Sequence, residues 1–84
     1  MKKWTEAEAQ LKKAIAADRD NAVAHNNMGV VLSQEGQLGK ALKEFETALS
    51  LDPNYHKASQ NLLDTKKLIE KKNKKTAKRT KKSH

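Results

Sequence analysis

Side chains of like class recur 34 residues apart along most of this chain. Leu38 pairs with Trp4, Ala41 with Ala7, Phe45 with Leu11, Ala48 with Ala14, Leu49 with Ile15 and Asp52 with Asp18. Further on, Ala58 pairs with Ala24, Asn61 with Asn27 and Leu62 with Met28. A unit of this length cannot bury its apolar face alone, so it stabilises itself by stacking on neighbouring units. The chain is thereby restricted to a stacked array, and the local periodicity decides what each unit is made of.

That periodicity is helical. Trp4, Ala7, Leu11, Ala14 and Ile15 fall on one stripe and predict a first helix over about 3–17, with Glu6 and Glu8 in its first turn and Lys12 and Lys13 near its end. Asp18-Arg19-Asp20-Asn21 stops it, and Asn21 or Asp20 caps a second helix over about 22–34, whose buried stripe is Ala24, Met28, Val31 and Leu32. Gly29 in mid-helix costs about 1 kcal/mol relative to Ala; it predicts a close approach by the following helix near Ala41. Gly36, able to take positive φ, makes the turn. A third helix over about 38–51 buries Leu38, Ala41, Leu42, Phe45, Ala48 and Leu49, with Gln37 a poor cap before it. Asp52-Pro53 ends it, because proline biases the preceding residue away from helical angles. Asn54 is then placed to cap a fourth helix over about 55–72, with Ala58, Leu62, Thr65 and Ile69 inward. Leu63 stands where Gly29 stood one period earlier and would hold off a further helix, so the fourth helix reads as a cap.

The stretch from Ala22 to Tyr55 contains His25-x2-Met28-Gly29-x2-Leu32, then Ala41-x3-Phe45, then Pro53. This resembles the tetratricopeptide repeat, a helix–turn–helix unit of about 34 residues. His25 stands where a large aromatic is common and Leu32 where tyrosine is usual. The resemblance covers about residues 3–70 and implies one full repeat at 22–55 flanked by two half repeats: the second helix of one and the first helix of another. The implied fold is all-α, an antiparallel stack of about four helices in a helical domain over 1–72, followed by a basic tail over 73–84.

The charge is unevenly placed. Residues 1–70 hold ten Lys/Arg and ten Asp/Glu, whereas residues 71–84 hold eight Lys/Arg and no acid, which accounts for the whole net charge of +8. The neutral body and the basic tail are therefore different objects. The tail has no apolar residue larger than Ala77 and cannot offset chain entropy by burial, so it is expected to be disordered or to fray as helix. Lys71, Lys72, Lys74, Lys75, Lys78, Arg79, Lys81 and Lys82 would give it salt-dependent contact with nucleic acid or an anionic surface. It has no aromatic residue for base stacking. Its basic clusters also have the form of nuclear-import signals, and Lys81-Lys82-Ser83-His84 has the two-lysine form of a retrieval signal.

No cysteine is present, which excludes disulfides and thiolate chemistry and fits a reducing compartment, cytoplasmic or nuclear. No apolar run approaches the roughly 18 residues that a membrane span needs. His25, His56 and His84 have no nucleophilic or acidic partner at a recognisable spacing, and His25 falls at an interhelix contact where packing explains it. Neither catalysis nor a cofactor or metal is expected.

In stacked repeats the first helix of each pair lines a concave surface. Here that surface would carry Asn26, Asn27, Val30, Ser33 and Gln34, followed by Lys57, Gln60, Asn61, Asp64 and Lys67. Amides and a lysine suit a peptide backbone or a carboxylate. Some members of the resembled family hold the C-terminal carboxylate of chaperones in a clamp; Asn27 and Lys57 match two of its positions, and Asn61 stands where the clamp has a basic residue. The resemblance thus implies a non-catalytic scaffold that binds a peptide or partner protein. Two other readings stand beside it. One is a nucleic-acid accessory working through the tail. The other is a self-associating structural or designed fragment of a longer array, whose stripe of Trp4, Ala7 and Leu11 packs against a helix outside this chain or against another copy.

Overall fold

A computed structural model describes the backbone of residues 2–82 and the side chains of residues 5–73. The chain forms four α-helices: α1 (Lys2–Ala17), α2 (Ala22–Gln34), α3 (Leu38–Leu51) and α4 (His56–Lys82). α2 is the central element. It packs extensively along α3, receives α1 on another side and meets α4 more lightly, while α3 packs along α4. Among the described residues no Cα of α1 comes within 8 Å of a Cα of α3. The architecture is all-α among the described residues.

The turns follow from their residues. Asn21 is extended, at φ −84° and ψ 95°, and its side chain accepts from the Ala24 N–H at 3.0 Å, which supplies one of the orphan donors at the start of α2. Gly36 has φ +86°, and the following Gln37 N–H returns to the Leu32 carbonyl at 2.9 Å. Gln37 makes no side-chain cap bond, as its residue type predicts. Asn54 does not cap α4. Its own N–H donates to Asp52 Oδ1 at 3.2 Å, and Tyr55 N–H donates to the Asp52 carbonyl at 3.0 Å, so the helix starts one residue later, at His56. In α1 the charges are also displaced from the ends: the helix starts at Lys2, so neither acid lies in the first turn and neither lysine in the last. Glu8 and Lys12 instead pair across one turn at 3.3 Å.

The core is small and centred on α2 and α3. Met28, Leu32, Ala41 and Phe45 form its buried centre, with Leu11, Ile15, Val30 and Leu62 packed around it. Ala41, Ala48 and Ala58 are fully buried, which lets three backbones approach closely. Gly29 does the same against a different neighbour from the one expected. The group over Gly29 is the Phe45 ring, one turn beyond Ala41: a Cβ at Gly29 would lie 2.7 Å from Cδ1 and 2.8 Å from Cζ of that ring.

α4 is helical to Lys82, ten residues beyond the end at 72 expected from the loss of apolar residues. Its buried stripe is Ala58 and Thr65, with Leu62 and Ile69 half-buried, and Thr65 also donates its hydroxyl to the Asn61 carbonyl at 2.7 Å.

Candidate peptide-binding groove

α2 and α4 run side by side over α3, and the light contact between them leaves a groove. Val30, Ser33 and Gln34 line one wall, and Asn61, Asp64, Thr65 and Leu68 the other, around a cavity of about 210 Å³ with Phe45 at its back. Five of the expected concave-surface residues meet there: Val30, Ser33, Gln34, Asn61 and Asp64. Two apolar side chains beside amides and a carboxylate make a surface that can hold an extended backbone and one apolar side chain. Leu68, 45% exposed, is part of it and was missed in the sequence because the expected inward stripe of α4 passes through Thr65 and Ile69.

The remaining predicted positions divide by burial. Asn27, Lys57, Gln60 and Lys67 are exposed and lie outside the cavity, on the surface around it. Asn26 is 4% exposed and is not a groove residue. Its side-chain nitrogen donates to the Tyr55 hydroxyl at 3.4 Å, and its oxygen accepts from the Asn61 side chain at 3.0 Å. This chain of bonds ties α2 to α4 and to the turn before it. Asn61 is therefore oriented by Asn26 while it lines the groove. The pairing of amides at these two positions could not be read from the 34-residue period, because it links Asn26 to a residue 35 positions away.

A second and larger depression lies on the opposite side of α2, where α1 and α3 stand apart. Its volume is about 590 Å³, its floor is Ile15, Met28 and Leu32, and Lys12, Arg19, Lys40 and Lys43 stand around it. Nothing in the sequence pattern marks it, since it arises from the separation of two helices rather than from a motif. His25 forms part of its wall. Nε2 faces the Arg19 carbonyl oxygen at 3.0 Å and Nδ1 faces Glu44 Oε1 at 2.8 Å. Both partners are acceptors, so the arrangement is complete only with a proton on each ring nitrogen or one on the Glu44 carboxyl. The ring joins α2 to α3 and to the preceding turn, the packing role expected of it.

Close to the end of α2, Glu35 carries an Oε1 that is buried without a hydrogen-bond partner. Burial holds its carboxyl above the usual carboxylate range, the neighbouring Glu8 carboxylate adds to this, and Lys12 and Lys40 oppose it. Its position at the C-terminal end of a helix, where the dipole is negative, is unfavourable to the anion in the same sense.

Of the stripe expected to face a missing helix, Leu11 packs against the chain's own core and Ala7 is half-buried. The side chain of Trp4 lies outside the described residues, as do those of Lys74, Lys75, Lys78, Arg79, Lys81 and Lys82. Lys71 and Lys72 are exposed on α4. Among the described residues no three His, Cys, Asp or Glu side chains are grouped to hold a metal, and no helix is long and apolar enough to cross a membrane.

No curated protein matches the chain. Residues 22–55 match the family model of the tetratricopeptide repeat, and this segment is α2, the Gly36 turn, α3 and the Asp52–Tyr55 turn. The chain thus carries a tetratricopeptide repeat at residues 22–55, and its four helices fit the architecture of that family.

Proposed function

We propose that this protein is a non-catalytic interaction module that holds an extended peptide of a partner protein in the groove between α2 and α4. The observation that carries the reading is the convergence of Val30, Ser33, Gln34, Asn61 and Asp64 on one cavity in a chain with a tetratricopeptide repeat. Fold alone does not assign function; the groove supplies apolar contact from Val30 and Leu68 and hydrogen-bonding groups from the amides, which is what a peptide backbone requires. Asn61 arrives already oriented by Asn26, so less side-chain entropy is lost on binding.

Two helices offer little area, so affinity for a single short peptide is expected in the micromolar range or weaker, about −8 kcal/mol at most. The test is a two-dimensional ¹⁵N–¹H titration with peptides selected from a random library against the whole chain. Shifts centred on Val30, Ser33, Gln34 and Asn61 support the groove. Shifts centred on Ile15, Lys43 and Thr47, in the depression between α1 and α3, overturn it.

A further inference from the structure

The depression between α1 and α3 sets an apolar floor against an unbalanced rim. Met28 and Leu32 are buried beneath it and Ile15 and Ala16 lie on its α1 side. Its volume of about 590 Å³ falls within the range of small-molecule sites, about 300–1,000 Å³. Four cations line it against two carboxylates, whereas the charges of residues 1–70 sum to zero. These charges divide into two groups. Lys12 pairs with Glu8 at 3.3 Å, and Lys12 and Lys40 both act on Glu35, so acids and bases balance in the first group. In the second, Glu44 is taken by His25 at 2.8 Å, and the other nitrogen of that ring faces the Arg19 carbonyl at 3.0 Å. The Arg19 guanidinium and the Lys43 ammonium are left with no ion pair among the described residues.

We infer that this depression binds a small aliphatic anion, with its hydrocarbon chain on Ile15, Met28 and Leu32 and its carboxylate held by Arg19 and Lys43. The site lies on the opposite side of α2 from the groove and is independent of the peptide reading. Its lining runs from Glu8 to Ala16 on α1 and from Lys40 to Thr47 on α3. That is about 10–12 Å along either helix, which a chain of about eight carbons and its head group span when extended. The floor supplies the larger share of the affinity, since each methylene removed from water contributes about 0.8 kcal/mol. The two exposed cations supply the choice of charge. A peptide backbone is poorly served here. The described lining has no amide side chain, both ring nitrogens of His25 are engaged, and the Thr47 hydroxyl donates to the Lys43 carbonyl at 2.9 Å. A chain with one charged end needs none of these groups.

The experiment is a ¹⁵N–¹H titration of the full chain at about 20 mM salt, where exposed charges are weakly screened. Three probes of equal chain length are compared below their micellar concentrations: octanoate, octan-1-ol and octyltrimethylammonium. Two variants at exposed positions accompany the parent. Arg19→Gln with Lys43→Gln removes the two charges, and Ala16→Trp fills the depression. The expected result is saturable shifts from octanoate centred on Ile15, Leu32, Lys43 and Thr47, with the alcohol bound about fivefold more weakly and the ammonium more weakly still. The charge variant should lose about fivefold in affinity for octanoate and none for the alcohol, and Ala16→Trp should abolish both. Octanoate that does not saturate, or that binds no better than octan-1-ol, overturns the inference. These comparisons on the parent chain decide it even where a variant fails to fold. Shifts centred on Val30 and Asn61 put the hydrocarbon between α2 and α4 and also overturn it. So does a concentration-dependent mass in sedimentation that Ala16→Trp abolishes, which assigns the depression to a second copy of the chain.

Discussion

Gly29 and the ring of Phe45 occupy adjoining space so closely that a single methyl group would not fit between them: a Cβ at Gly29 would lie 2.7 Å from Cδ1 and 2.8 Å from Cζ. Phe45 is 1% exposed and is the largest fully buried side chain among the described residues. The contact is the centre of the α2–α3 interface, and it sets two opposing effects against each other. Gly29→Ala removes a helix penalty of about 1 kcal/mol. It also forces a backbone or ring shift costing about 1–3 kcal/mol in a packed core. The neighbour is a ring held on all sides rather than the end of a flexible chain, so the second effect wins. Gly29→Ala is expected to lower stability by about 1–2 kcal/mol in urea denaturation followed by circular dichroism. In a Phe45→Leu background the same substitution should cost less or nothing, because the atoms it meets are gone. A stabilising Gly29→Ala in the native background would show that the ring does not stand over Gly29.

The amide pair of Asn26 and Asn61 predicts a coupling between stability and binding. Asn26→Ala leaves the Asn61 side chain without the acceptor at 3.0 Å and should cost about 1–3 kcal/mol, the usual consequence of stranding a partly buried polar group. Tyr55→Phe removes a longer contact of 3.4 Å and should cost about 0.5 kcal/mol or less. A double-mutant cycle between Asn26→Ala and Asn61→Ala should return a coupling energy of about 0.5–1.5 kcal/mol. Peptide affinity should fall for both single variants, for Asn61 through lost contact and for Asn26 through lost orientation.

These two relationships also show what a one-dimensional pattern carries. The four helices, the Asn21 cap, the positive φ of Gly36 and the core of Met28, Leu32, Ala41 and Phe45 were legible, because burial stripes and turn residues are local properties of the chain. Gly29 was legible as a close approach but not as a contact with Phe45, since the ring reaches across a whole helical turn. Asn26 was misplaced for a related reason. On the helix surface it adjoins Asn27 and Val30, and only the position of Tyr55 and Asn61 decides that it is buried. Five of the eight residues lining the groove were found by analogy with stacked repeats, and Leu68 and the separation of α1 from α3 were not. Helix spacing depends on the sum of many side-chain volumes, which no single stripe encodes.

Glu35 predicts a pH dependence whose sign follows from its environment. Its carboxyl is held above its ordinary value of 4.5, so between that value and its raised one the folded chain binds more protons than the unfolded chain. Stability therefore falls as pH rises through this window, and the penalty remains in full at neutral pH. Glu35→Gln removes the charge beside Glu8 and the buried anionic oxygen. The variant is expected to have a higher denaturation midpoint than the parent at pH 7 and a flatter profile between pH 4.5 and 7, with the difference vanishing on acidification below 4.5. A thermal-denaturation series across that range in low salt checks the sign. A parent that gains stability from pH 4.5 upward, with Glu35→Gln abolishing the gain, would contradict it.

Leu62 and Leu63 are neighbours in sequence and opposites in packing, and the contrast tests the register of α4. Leu62 is half-buried against the core cluster, whereas Leu63 is 51% exposed at the position equivalent to Gly29. Leu62→Ala should cost about 1–2 kcal/mol, less than a fully buried leucine because part of its surface is already wet. Leu63→Ala should change stability by about 0.5 kcal/mol or less. A rotation of the helix by one residue would reverse the two. It would also carry Asn61 and Asp64 out of the groove that they line with Val30, Ser33 and Gln34. Urea denaturation of both variants at matched concentrations therefore decides which face of α4 is turned to the core. If Leu63→Ala proves the more costly, the face of α4 turned to the core is the one that carries Leu63.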